Sequence, residues 1–231
     1  MLKSLPWQPW INHPINGDLN VMCDMTVLTQ TLIAGDGDAL IAQVNQALDQ
    51  GTAPNDILSS GLIAGMDIVG ERMETGEMFI PEVLMSAQAM GEAVEILKPL
   101  LSEEDATSAG RVLIGTVKGD LHDIGKNLVV MMMESAGFEV TDLGVDVEAD
   151  AFIAAIDELK PHIVGLSALL TTTMPAMRDT VNKIAETGKN EGLKIMVGGA
   201  PVNQAFADEI GAHGYASDAG SACKLAKAML R

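Results

Sequence analysis

The sequence predicts an α/β chain in two parts: a bundle of four helices, then a doubly wound parallel sheet of five strands. Three observations carry this. Between Thr26 and Leu101, apolar residues recur at helical spacing. From Arg111 onward, short apolar runs alternate with helical segments, the pattern of a parallel sheet covered on both faces. Between the two, Ser102 to Gly110 is acidic and then small and polar, as a linker would be. The 231 residues suffice for two cores of about 100 residues each. Aromatic residues make up only 3%, so the cores must be aliphatic, with 15 Met to fill irregular gaps.

Residues 1–25 are set apart as an irregular arm, because Pro6, Pro9 and Pro14 interrupt Met1 to Asn20 around Trp7 and Trp10. Lys3 is followed by neither an apolar run nor a cleavage site, so a signal peptide is not expected. The helical domain spans 26–105. Asp38 is the expected cap of a helix from Ala39 to Asp49, which Gly51 closes. Pro54-Asn55-Asp56 opens another, carrying Ile57, Leu58, Leu62, Ile63, Met66, Ile68 and Val69, and Glu74-Thr75-Gly76-Glu77 breaks it. Pro81 suits the first turn of a last helix, on which Val83, Ala87, Met90, Val94 and Leu97 share a face.

The second domain spans 106–231. Strands are expected at Val112–Val117, Glu139–Leu143, His162–Ser167, Lys194–Gly199 and around Tyr215. Helices are expected at Lys126–Ala136, Ala149–Leu159, Met177–Glu186, Asn203–Ile210 and Ala219–Leu230. This is a Rossmann-like, flavodoxin-like alternation, and ligands of such sheets bind beyond the carboxyl ends of the strands.

With 14 basic against 32 acidic residues the net charge is -18, which repels phosphate backbones and anionic membranes, so neither nucleic acid nor membrane is an expected partner. No apolar run reaches the roughly 18 residues of a membrane span. Cys23 and Cys223 form neither a CxxC nor a disulfide framework, which fits a reducing cytoplasm.

The chemistry concentrates in the loop Gly119-Asp120-Leu121-His122-Asp123-Ile124-Gly125 after the first strand. A lone histidine is more often structural than a ligand. Here Asp120, two residues earlier, can accept from the imidazole of His122, as the outer partner of a metal-bound histidine does. Gly119 and Gly125 would let the loop bend and a bulky ligand approach. One histidine is too few for structural zinc, and His13, His162 and His213 lack the same carboxylate pattern. A metal needing one protein ligand must bring the rest as a macrocycle. Haem meets that condition too, although its pockets favour aromatic residues, and this half offers Phe138, Phe152, Phe206 and Tyr215.

Asp120-x-His122-x-x-Gly125, then Ser167-x-Leu169, then Gly198-Gly199, each at a strand end, resembles the signature of the cobalamin-binding fold. The resemblance implies a cobalamin (methylcobalamin) whose benzimidazole has left the cobalt and been replaced by His122. It assigns Ser167 to the displaced nucleotide tail, and Leu169 and Gly198-Gly199 to room for it. It also implies a proton relay of Asp120, His122 and Thr173, with Thr171 on the same segment counted among the cofactor-binding residues.

Met73-Glu74-Thr75-Gly76-Glu77-Met78-Phe79-Ile80-Pro81-Glu82-Val83 resembles the cap of methionine synthase and, more closely, the stand-alone corrinoid proteins of methanol, methylamine, glycine betaine and aryl-ether methyltransferase systems. This resemblance covers about Thr26 to Arg231. It implies that Met73, Ile80 and Val83 cover the upper face of the cobalt, with Phe79 nearby; read alone, they are ordinary core residues of a bundle. The function it implies is a methyl carrier whose cobalt alternates between Co(I) and methyl-Co(III). Its partners would be a donor methyltransferase, an acceptor methyltransferase serving tetrahydrofolate or a thiol, and a reductive activator. A cobalamin-dependent sensor would share the cap but add a basic DNA-binding head. A subunit of an adenosylcobalamin isomerase would pair the same fold with a barrel. A flavodoxin-like domain without cobalamin would leave the three-part motif to chance. No nucleophile–base pair for an independent reaction is visible, so a carrier subunit is expected.

Overall fold

The computed structural model describes residues 24–101, 108–188 and 192–231. The expected arm and most of the expected linker lie outside the described residues.

Four helical rods form the first half. Helix α1 (Met25–Ile33) starts where the Asp24 carboxylate accepts from the Thr26 amide. Helix α2 (Gly37–Asp49) is capped by Asp36, whose Oδ1 accepts from Ala39 N at 3.1 Å. Asp38, the expected cap, falls instead in the first turn, because the helix begins two residues earlier. Helix α3 (Pro54–Asp56) continues through a π-helical turn, Ile57–Ile63, into α4 (Ala64–Glu74). Gly61 and Gly65 let this rod close on α1, since a Cβ there would lie 2.8 and 2.7 Å from Leu28 and Leu32 Cδ2. Helix α5 (Ile80–Leu97) has Pro81 in its first turn, and its Glu82 carboxylate accepts from Phe79 N at 2.8 Å. Val83, Ala87, Met90 and Leu97 are buried, so the expected inward face is the observed one.

The second half is a parallel sheet of β1 (Arg111–Thr116), β2 (Glu139–Asp142), β3 (Ile163–Ser167), β4 (Lys194–Gly198) and β5 (Gly214–Ala216), in the order β2-β1-β3-β4-β5. This is the doubly wound order whose ligand site lies where the strand order reverses, between β1 and β3. The register aligns Thr116, Ser167, Gly198 and Ala216 in one row at the carboxyl edge. Four separated pieces of sequence therefore end at the same level.

Helices α7 (Ala149–Leu159), α8 (Met174–Glu186) and α9 (Gln204–Ile210) cover one face through Phe152, Met177, Val181 and Phe206. Helices α6 (Ile124–Ser135) and α10 (Ala219–Met229) cover the other, and their Met132, Met133, Ala222 and Ala226 join the bundle interior in one continuous core. The bundle thus sits on α6 and α10, beside the carboxyl edge. Two helices start earlier than expected. Helix α6 takes in Ile124 and Gly125, and α8 takes in Met174 and Pro175.

Candidate functional site

The site begins with how the β1–α6 loop is tied down. The Thr116 hydroxyl donates to the His122 carbonyl at 3.0 Å. Gly119, at φ +80°, makes the turn and donates its N–H to Asp146 Oδ1 at 2.7 Å, while Asp146 N donates to the Asp120 carbonyl at 3.0 Å. The loop backbone is therefore held at three points, by Thr116 and by Asp146.

Asp120 is fully buried. Its Oδ2 accepts from the Thr173 hydroxyl and from Leu169 N, both at 2.7 Å, and from Leu170 N at 3.3 Å. Its Oδ1 accepts from His122 N at 3.1 Å and from His122 Nδ1 at 2.7 Å. Burial by itself would push this carboxyl up, but the bonds from Thr173, Leu169 and His122 outweigh it and hold the group well below the usual carboxylate range. An ionised carboxylate only accepts, so the His122 proton sits on Nδ1. Nε2 has no protein partner among the described residues. The His122 side chain is 50% exposed, at the rim of a cavity of about 580 Å³.

Of the expected residues, His122, Gly125, Ser167, Leu169, Gly198 and Gly199 line this cavity, joined by Met73 and Ile80 from the bundle. Thr173 is buried behind Asp120. Thr171 is exposed and does not line the cavity. Val83 is 0% exposed within the bundle core, which is the ordinary reading of such a residue, because it continues the inward face of α5. Phe79 is 68% exposed and outside the lining. Gly125 bends no loop; it lies in the first turn of α6, where an added Cβ would meet nothing within 4 Å.

Sequence reasoning missed Leu121, Ile124 and Lys126, which also line the cavity. Leu121 and Ile124 are strongly exposed, one on each side of His122. Two large apolar residues in a loop beside a candidate ligand were the available signal, since such groups at a surface mark a binding rim. Lys126 is buried and pairs with Asp142 and with Asn127 Oδ1, tying the first turn of α6 to the end of β2.

An exposed imidazole thus sits on a buried carboxylate, beside an apolar cavity at the switch point of a parallel sheet and under a helical bundle. A B12 binding domain model matches residues 110–224, and a second B12 binding domain model matches residues 26–98. The dimethylamine corrinoid protein 1 of Methanosarcina acetivorans is 46% identical over 194 residues, 84% of this chain and 91% of that protein. A cobalamin-binding protein of Desulfitobacterium hafniense DCB-2, solved as a crystal structure, superposes with a TM-score of 0.78 at 33% identity, covering 89% of this chain and 98% of that one. A chain of the methanol:cobalamin methyltransferase complex of Methanosarcina barkeri gives 0.77 at 33% identity, covering 89% and 79%. The chain belongs to the B12-binding corrinoid protein family.

Its cofactor is a cobalamin, and the residues present fit one. Among the described residues no group of three or more His, Cys, Asp or Glu is placed to hold a bare metal ion. The fit lies in the cavity wall: exposed apolar Leu121, Ile124 and Leu169 at the rim and small Gly165, Gly198 and Ala216 in the floor.

Proposed function

We propose that the chain is a methyl carrier: residues 106–231 hold the corrinoid and residues 26–105 cap it, while partner enzymes load and unload the methyl group. When bound, the corrinoid supplies a cobalt that accepts a methyl group and releases it. Everything else falls to the chain. His122 would offer Nε2 to the cobalt. Asp120 would keep the proton on Nδ1, and Thr173 holds Asp120, so the imidazole would be kept in its ligating tautomer. Ser167 would hold the tail of the corrinoid, and Gly198 would leave room for it. Met73 and Ile80 reach down from the bundle and exclude water.

One observation carries this reading. His122 from the sheet half and Met73 and Ile80 from the bundle half line the same cavity. A group held there is shielded from both sides, so the bundle must swing aside for each partner. The partners we infer are a donor methyltransferase, an acceptor methyltransferase and a reductive activator. The charge of -18 favours steering onto basic rims around their active-site mouths. No helix among the described residues is long and apolar enough to cross a membrane, and the sparse cysteines favour the cytoplasm.

The test is reconstitution. Purified holo-protein with a methyl donor and an acceptor should turn over nothing; adding a cognate methyltransferase should start transfer, at a rate that falls as salt rises. Multiple turnovers by the chain alone would sink the carrier reading.

A further inference from the structure

The paired glycines at the end of β4 differ from each other. A Cβ on Gly198 would come within 3.1 Å of the Ala216 carbonyl oxygen, a tight contact that a small shift relieves. A Cβ on Gly199 would lie 1.9 Å from the Ala168 oxygen and 2.7 Å from its carbonyl carbon, and Gly199 has φ +123°. An alanine there is strained in its own backbone and must also push the Ala168 peptide back by about an ångström.

That peptide is not an idle neighbour. Ala168 N donates to the Gly198 carbonyl at 3.2 Å, and Val202 N donates to the Gly199 carbonyl at 2.9 Å, so both sides of the contact are pinned. The next amide, Leu169 N, donates to Asp120 Oδ2 at 2.7 Å, and Leu170 N follows at 3.3 Å. The other oxygen of Asp120 holds His122 Nδ1 at 2.7 Å. A fully buried carboxylate cannot turn to water if its donors move; it turns with them, and His122 turns with it.

We propose that Gly199 is a positioning residue for His122, acting through the Ala168 peptide and Asp120, and that this, not room for the nucleotide tail, is what requires glycine at 199. The proposal rests on His122 being the cobalt ligand.

The test compares two corrinoids, cobalamin and cobinamide, the second of which has no nucleotide tail. Coordination is read from the absorption spectrum and from nitrogen splitting in the Co(II) electron paramagnetic resonance spectrum. In Gly199→Ala, the histidine-ligated fraction should fall relative to the unligated one by on the order of tenfold, with both corrinoids. In an Asp120→Ala background, Gly199→Ala should change coordination no further. Loss with cobalamin but full ligation of cobinamide in Gly199→Ala would overturn the proposal in favour of tail room. If circular dichroism shows that Gly199→Ala does not fold, Leu169→Pro, which removes the same N–H while keeping Gly199, takes its place. Unaltered ligation of cobinamide by folded Leu169→Pro would overturn the proposal equally. Wild-type protein that binds corrinoid with no histidine ligation would instead refute the reading on which the proposal rests.

Discussion

At the scale of the residue, the site turns on which nitrogen of His122 carries a proton. Asp120→Asn preserves shape and volume, yet the amide cannot reproduce the pattern. Thr173 and Leu169 both donate toward Oδ2, so they select the amide oxygen on that side. The amide NH2 then faces His122, where Nδ1 must become an acceptor and Nε2 must take the proton. An imidazole protonated on Nε2 has no lone pair there to offer a metal. Asp120→Asn is therefore expected to give the same unligated cobalt spectrum as His122→Gly, with corrinoid affinity down on the order of 10- to 100-fold. An Asp120→Asn protein with the wild-type coordination spectrum would show that the tautomer is not set by this carboxylate. The bond between Asp120 and His122 was legible in the sequence, because a spacing of two residues in a tight loop leaves few other geometries. The bonds from Leu169 and Leu170 were not. They are backbone donors some 50 positions away, and nothing in the identity of a leucine announces that its amide is free.

At the scale of the element, legibility followed how much of each boundary was local chemistry. Helix α7 runs from Ala149 to Leu159 as the periodicity predicts, with acidic Asp150 in its first turn and Lys160 in the left-handed conformation after its end. Helices α6 and α8 began earlier than the pattern suggested. Gly125 reads as a breaker, and the three threonines before Met174 read as loop, yet the first turn of a helix tolerates both glycine and the Pro175 that follows. The early start of α6 matters because it brings Lys126 under the loop. The Lys126 side chain is 1% exposed and its partner Asp142 is 30% exposed, so the two ends of this pair are not equivalent. Asp142→Asn leaves a buried ammonium with no counter-charge and should cost about 3 kcal/mol. Lys126→Met leaves a carboxylate that still reaches water, and should cost about 1 kcal/mol. Urea unfolding of the full chain would check the order, and equal losses would mean that the pair anchors α6 by shape alone.

At the scale of the whole molecule, the two-part architecture was readable from the change of period near residue 110, but the seam between the parts was not. It is made where α4 crosses α10. A Cβ on Gly220 would lie 2.3 Å from the Gly70 carbonyl oxygen, so the helices touch backbone to backbone. On either side of this crossing Lys224 pairs with Glu74 and Lys227 with Asp67. Glycines 150 positions apart give no sequence signal of their meeting, and each lysine reads as part of a solvated face. Beneath the seam the bundle and the α6–α10 layer share one apolar core, including Met66, Val69 and Met132, which favours the closed pose strongly. The two ion pairs are the screenable part of that balance. Each is partly exposed and so contributes only weakly to closure. Asp67→Asn combined with Glu74→Gln should therefore raise the open population a few-fold at low salt and remove most of its salt dependence. Gly220→Val, which wedges the crossing itself, should open the cap at any salt. Hydrogen exchange of the α4 and α10 amides in holo-protein, followed from low to high ionic strength, would measure both effects. Exchange that ignores salt in the wild-type chain would show that the apolar core alone holds the cap, and that the lysine pairs are bystanders.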